Sequence, residues 1–479
     1  MVVGGGSAGC ALAGRFAAAG AGRLLLLEAG SAAWTPEILD VASLAATVPG
    51  HPANWAHPVE LRTGTAAHVP RGRVLGGSGA VNGAVWMRAT PADAPGLPGW
   101  SRPEMLRRYI RSEADADLGG CPGHGRDGPV PVGRPAGALL HPAAERLLAA
   151  AAACGFPAEP DKNAGGPPGA GLVPGNAVDG VRINPALAYL GGALPDGALT
   201  VRGGAEVDRV VLDGTRAVGV RLSDGTVVRA GEVVLAAGAV GTPHLLLRSG
   251  IGPVDDLRAA GIELRHHLPG VGHGFTDHPA VFLPFTGDDA PAHPHAPAAQ
   301  AALDLDAGAD PAGDCELLLF VRPFAPDGPL HVMCQLMHPD SRGTLTPTAD
   351  GAPRISYGYL RTEYDRRRLR HAIRTAADLL RAGLGARVEP DGHVLGSDRA
   401  LDGWIAAHLT TAQHLCGTAA MGPGGVVDPE LRVHGLERLR IVDLSVLPVA
   451  PRRGTAATAV AIGEAGAEFL GVQPADAAG

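Results

Sequence analysis

The residues best placed to do chemistry stand at the two ends of the chain. Near the start, VVGGGSAGCALAGR carries Gly4, Gly6 and Gly9 as G-x-G-x-x-G, and Glu28 lies 19 residues beyond Gly9. In that spacing the first glycine permits a tight turn and the second lets backbone N–H groups approach a pyrophosphate. The third lets a helix pack on a strand, and an acid about 20 residues on accepts a pair of ribose hydroxyls. Near the other end, His414 sits in TAQHLCGTAAMG (411–422). A neutral imidazole can take a proton near neutral pH, yet a histidine beside Leu415 is more often a packed residue, so its neighbours alone do not assign it. Cys416 has no base in view and reads as packing. His278, in FTDHP, reads as structural, ordering a link between domains.

The elements around these residues can be read from apolar periodicity. The first thirty residues predict strand, glycine turn, helix and strand, with Glu28 closing the second strand. Only Met1, Val2 and Val3 precede the turn, which is short for a strand and suggests a true start a few codons upstream. Residues 199–236 alternate apolar and polar around DGT turns and predict an antiparallel meander. Residues 286–313, rich in Ala, Pro and Asp, predict a mobile surface segment in which His293 and His295 are solvated rather than metal ligands. Residues 364–382 predict an amphipathic helix with a solvated arginine face. The end of the chain reads strand (from Leu439), turn, then an apolar helix (455–470) whose N-terminus faces something negative or electron-rich. Pro and Gly punctuate 91–103, 119–137 and 157–175, as in long connections wrapping a second unit.

Bulk properties narrow the function classes. A chain of 479 residues predicts two domains. Its net charge of −8, with Lys162 the single lysine and no basic block, argues against nucleic acid as a partner. The six cysteines form no CxxC pair, which argues against a zinc site or disulfide scaffold and fits a reducing cytoplasm. No metal site is expected. No apolar run reaches the 18 residues of a membrane span. The 70 glycines are scattered without a repeat.

Taken together, VVGGGSAGCALAGR, RGRVLGGSGAVNGAVWMR (71–88), GAVGTPHLLLRSGIGP (238–253), VGHGFTDH (271–278) and VVDPELRVHGLERLRIVDLSVLP (426–448) resemble the flavin-binding blocks of the glucose-methanol-choline oxidoreductases, in that family's order and across nearly the whole chain. The resemblance implies a mixed α/β (α+β) fold: a discontinuous Rossmann-type FAD-binding domain (1–95, 195–275 and 425–479) interleaved with a substrate domain on an antiparallel sheet (96–194 and 276–424). It implies FAD contacts at Gly4, Gly6, Ser7, Ala8, Gly9, Glu28, Arg73, Gly76, Gly77, Ser78, Asn82, Val207, Ala237, Gly238, Asp443, Gly454 and Thr455. Some relatives attach FAD through a histidine just before the asparagine; Val81 stands there, which implies non-covalent binding. His414 falls at the family's active-site histidine and is the expected base in oxidation of an alcohol, with hydride passing to flavin N5. A second histidine or asparagine is usual in the turn after the last strand; the matching Ala456 offers no hydrogen bond, so His414 is expected to work alone or with backbone, water or substrate.

The segments 98–100 (PGW), 275–279 (FTDHP) and 451–458 are most similar to the family's mycofactocin-associated dehydrogenases. That implies reduced mycofactocin (a mycofactocinol) as donor, an electron acceptor the sequence does not identify, and a cytoplasmic location, free or at the membrane periphery. Alternatives stay open: an oxygen-using alcohol or sugar oxidase, a choline dehydrogenase-like enzyme, a hydroxynitrile-type lyase on the same scaffold, and a flavin-bound partner protein without catalysis.

Overall fold

The computed structural model describes residues 1–472 except 98, 193, 288, 289, 309 and 326. Pro98 of the PGW segment therefore lies outside the described residues.

Two sheets position the site. The first has five strands, and its paired strands are all parallel: Leu199–Arg202, Leu24–Leu27, Val2–Val3, Val233–Leu235 and Leu439–Ile441, in that spatial order. It sits under the helices Ser7–Ala18 and Ala456–Phe469, which pack on each other. Its central strands are covered on both faces and read as unbroken apolar runs (VV, LLLL and VVL), while the edge strand Leu199–Arg202 alternates. The strand-turn-helix-strand expected at the start is present. The predicted meander is shorter than expected. Antiparallel pairing is confined to Val207–Asp213, Arg216–Leu222 and Val227–Arg229, because the apolar strands on either side of it are drawn into the parallel sheet.

The second sheet is antiparallel. Its order is Arg387–Val388, Pro279–Thr286, Leu330–Leu336, Cys315–Phe320, Ala299–Leu305 and Ala170–Leu172, with Thr410–Thr411 pairing the start of Pro279–Thr286. Here one sequence expectation fails: Ala299–Leu305, inside the segment predicted to be mobile, is a fully buried strand. Its small side chains carry a weak periodic signal, and its burial comes from strands on both sides. The amphipathic helix predicted over 364–382 is present as Glu363–Leu384 and packs on this sheet, but its arginines are not all solvated. Arg368 pairs with the buried Asp314 and Asp365, and the buried Arg370 reaches out to Asp402 and the exposed Glu363, so two of these guanidinium groups are ion-paired inside rather than solvated.

A third sheet joins His57–Arg62 and Thr65–Val69 to strands from 273–356. Among the described residues no helix is long and apolar enough to cross a membrane.

Candidate active site

A continuous cavity of about 1080 Å³ runs from the glycine turn to the face of the antiparallel sheet. At its first end, Gly4 turns the chain with φ +103°, and a Cβ on Gly9 would stand 2.1 Å from the Gly4 carbonyl oxygen. That distance forbids any side chain where the helix Ser7–Ala18 crosses the strand. A Cβ on Gly6 would find no protein atom nearer than 3.8 Å, so Gly6 is bare toward the cavity rather than toward the fold. This is the approach a pyrophosphate needs at a helix N-terminus with no side-chain cap.

Glu28 is buried at the end of its strand; Oε2 accepts the Gly5 N–H at 2.9 Å and Oε1 the Gly30 N–H at 2.8 Å. Burial pushes its carboxyl up while those N–H groups pull it down. Each oxygen keeps a second lone pair for a hydroxyl. Asp443, just beyond the last parallel strand, accepts from the Gly238 N–H (2.9 Å), the Thr242 hydroxyl (2.5 Å) and the Ser445 N–H (2.9 Å). It thereby ties the start of helix Gly238–Arg248 to the final turn.

Of the residues expected to touch the cofactor, Gly4, Gly6, Ser7, Ala8, Glu28, Gly77, Ser78, Asn82, Val207, Ala237, Gly238, Asp443, Gly454 and Thr455 line the cavity. Gly9, Gly76 and Arg73 do not. Gly9 supports from behind. Gly76 makes a turn at φ +96°, where a Cβ would meet the Asn184 Oδ1 at 2.8 Å. Arg73 lies over the Trp55 ring and pairs with Glu206 at 3.1 Å. Arg71, which the sequence did not single out, lines the wall instead.

At the opposite end of the cavity stands His414. It has a partner that the sequence analysis did not supply: its Nδ1 is 2.9 Å from Nδ1 of His278, the two rings meeting edge to face at 5.1 Å. His278 is fully buried. The segment Thr276, Asp277, His278 acts as a splint for the histidine loop. Thr276 and Cys416 exchange backbone hydrogen bonds at 2.9 Å. Asp277, also buried, accepts from the His414 N–H (2.7 Å), the Thr411 hydroxyl (2.8 Å) and the His278 N–H (2.7 Å).

These anchors hold Gln413 at φ +67°, a left-handed conformation that costs a non-glycine residue energy and aims the next side chain. The other ring nitrogen of His414 faces the turn at Gly454, where a Cβ would come within 3.8 Å of Nε2. Burial, with the Arg71 guanidinium adding, brings His414 down to about 3. Burial and the neighbouring His414 take His278 well below the usual histidine range. Both rings are therefore neutral at pH 7. Ala456 lines the cavity, as its place in the sequence implied, and Cys416 is buried with its thiol on the His414 carbonyl.

Glu113, Asp115 and His124 cluster away from this cavity. Arg88 holds Glu113, Arg134 holds Asp115, and Asp161 takes His124 Nε2 at 2.9 Å, so that cluster is an ion-pair network satisfied from within.

A parallel sheet with a glycine turn and ribose acid, opening onto a cavity that ends at a neutral histidine, defines a dinucleotide-dependent oxidoreductase. The chain belongs to the GMC oxidoreductase family: the family's N-terminal model matches residues 1–280 and its C-terminal model residues 339–463. It is similar to an uncharacterized GMC-type oxidoreductase of Rhodococcus erythropolis, with 39% identity over 98% of this chain and 97% of that one. Human mitochondrial choline dehydrogenase is 31% identical over 99% and 90%. The crystal structure of pyridoxine 4-oxidase from Mesorbium loti superposes with a TM-score of 0.90 at 29% identity, covering 99% of each chain. The chain is thus an FAD-dependent oxidoreductase acting on CH–OH donors.

Proposed function

We propose that the chain oxidises an alcohol at the His414 end of the cavity, with His414 Nε2 taking the hydroxyl proton. The observation that carries this reading is the Nδ1–Nδ1 contact with His278. Two neutral rings meeting through Nδ1 must share one hydrogen. His278 Nε2 is buried with no hydrogen-bond partner, on the side where the Met337 backbone favours a proton, and we place the hydrogen of His278 there, so that its Nδ1 accepts. His414 then donates from Nδ1, which leaves the Nε2 lone pair on the cavity side. His278 is thus a positioning residue that sets the tautomer of the base and compensates for the missing side chain at Ala456.

The residues that would hold FAD fit it. The bare approach at Gly6 and the N-terminus of Ser7–Ala18 suit the pyrophosphate, and Glu28 suits the ribose. The open turn at Gly454 and Thr455, beside Asn82, suits the ring. When bound, FAD supplies the acceptor for the hydride that leaves the carbinol carbon. The chain itself orients the alcohol and receives the proton. We divide it into an FAD-binding part (1–95, 195–275, 425–479) and a substrate part (96–194, 276–424). The parallel sheet supports the first and the antiparallel sheet the second.

For the donor, we carry forward reduced mycofactocin, supported by the similarity of 275–279 and 451–458 to that group. The unpaired cysteines support a cytoplasmic location. The test is anaerobic mixing of the yellow protein with reduced mycofactocin, choline, glucose and methanol. Bleaching by the first alone is expected; rapid bleaching by a common small alcohol, with stoichiometric peroxide in air, would make the chain a conventional oxidase.

A further inference from the structure

The face of the antiparallel sheet that closes the cavity is apolar along one row and polar along the next. Cross-strand register places Phe282, Met333, Leu318 and Ala302 in line, and beside them Ala280, Gln335, Glu316 and Asp304. Phe282, Met333, Leu318, Glu316 and Gln335 all line the cavity. Such a polar row, with Gln335 and Glu316 each 1% exposed, costs free energy unless its hydrogen bonds are met.

On the inner side they are met in part. Lys162 Nζ lies 2.6 Å from both Glu159 and Asp304, and Arg453 reaches Asp304 at 2.9 Å and Glu159 at 3.3 Å. Two cations thus face three buried carboxyl groups: Glu159, Asp304 and Glu316. A third negative charge would be uncompensated, and burial, with the Asp304 carboxylate beside it, pushes Glu316 up to about 8, so Glu316 is the group that stays neutral. Its Oε1 accepts the Gln335 Nε2–H at 2.7 Å. That bond fixes which way round the Gln335 amide sits, and leaves its Oε1 buried with no protein partner on a residue that lines the cavity.

We propose that Gln335 Oε1, oriented by Glu316, is a substrate subsite for a neutral hydrogen-bond donor, a hydroxyl or N–H carried by the alcohol at the end away from its carbinol. Ala280, directly opposite Gln335, is two residues along the chain from His278, a rise of about 7 Å. A small ring beside Phe282 and Met333 spans that gap. The wall carries no net negative charge and its acceptor needs a hydrogen, so a quaternary ammonium group such as that of choline is not its ligand. This subsite rests on the reading of His414 as the base only for which end of the substrate reacts.

The test uses the FAD-loaded protein and ligands that do not turn over. Phenol, anisole and tetramethylammonium are titrated by flavin difference spectra and by calorimetry, in the native chain and in Gln335→Leu and the near-isosteric Gln335→Met. Phenol is expected to bind about tenfold tighter than anisole in the native chain, tetramethylammonium weakest, and the phenol advantage to vanish in whichever variant keeps its FAD. Equal binding of phenol and anisole to the native chain, or tighter binding of tetramethylammonium, overturns the subsite even if alcohols still reduce the flavin. A retained phenol advantage in a folded, FAD-bearing Gln335 variant overturns it too. Discrimination without any flavin reduction by alcohols would instead count against the reading of His414.

Discussion

At the level of single residues, what matters at each end of the site is an atom that is missing or left free. Gly6 leaves the helix N-terminus bare toward the cavity, and the His278 contact at Nδ1 leaves the His414 Nε2 free. Val81 shows what the first kind of absence implies. It lines the cavity with a hydrocarbon side chain and is 4% exposed, so nothing there can bond covalently to a flavin. Acid precipitation of the purified protein should therefore release all of its FAD into the supernatant, read by absorbance; flavin retained on the denatured chain would show an attachment elsewhere. Glu28 and Asp443 belong to the same scale. Each is a carboxyl group whose hydrogen bonds from backbone N–H groups stiffen a turn that lines the cavity.

At the level of elements, the glycines of one turn separate into two roles that substitution should distinguish. Gly9→Ala drives a methyl group to 2.1 Å from the Gly4 carbonyl oxygen, so helix and strand must part. The expected cost is about 1–3 kcal/mol of stability in the FAD-free protein, as for an overpacked core. Gly6→Ala meets nothing closer than 3.8 Å. It should leave the FAD-free melting temperature within a degree or two while lowering FAD affinity. Equal melting of the two variants would refute the division.

The strand-turn-helix was legible in the sequence because its signal is local: four leucines, three glycines and an acid at fixed offsets. Ala299–Leu305 was not, since AQAALDL is made a strand by neighbours from 315–320 and 170–172. Leu199–Arg202 was legible as a strand but not as a parallel one, because its partner is Leu24–Leu27, far back in the chain. The splint at 276–278 fell between these cases. Three polar residues entering an apolar strand were a signal, but their partner loop at 411–416 is remote in sequence.

At the level of the whole molecule, the two sheets meet across one cavity, with His278 buried in the seam and His414 half-buried at the cavity wall. That burial has a pH signature. His414 in the folded chain lies at about 3, and His278 lies well below the usual range. An unfolded histidine titrates near 6.5. Between those values the unfolded chain binds more protons, so their contribution makes stability fall as pH drops below about 6.5. From pH 7.5 to 5, native protein should lose on the order of 1–2 kcal/mol more than His414→Asn does, measured by urea unfolding. An equal loss would mean that His414 titrates as freely in the folded chain as in the unfolded one.

The central claim, that His414 is the base, is tested most directly by anaerobic stopped-flow reduction of the bound flavin in His414→Ala. Removing a general base costs about 10²–10⁴-fold. The variant is expected to keep its FAD and its yellow spectrum while reducing at least about a hundredfold more slowly than native protein. Reduction at near the native rate, with FAD fully bound, would show that this histidine only fills space and that the proton leaves by another route.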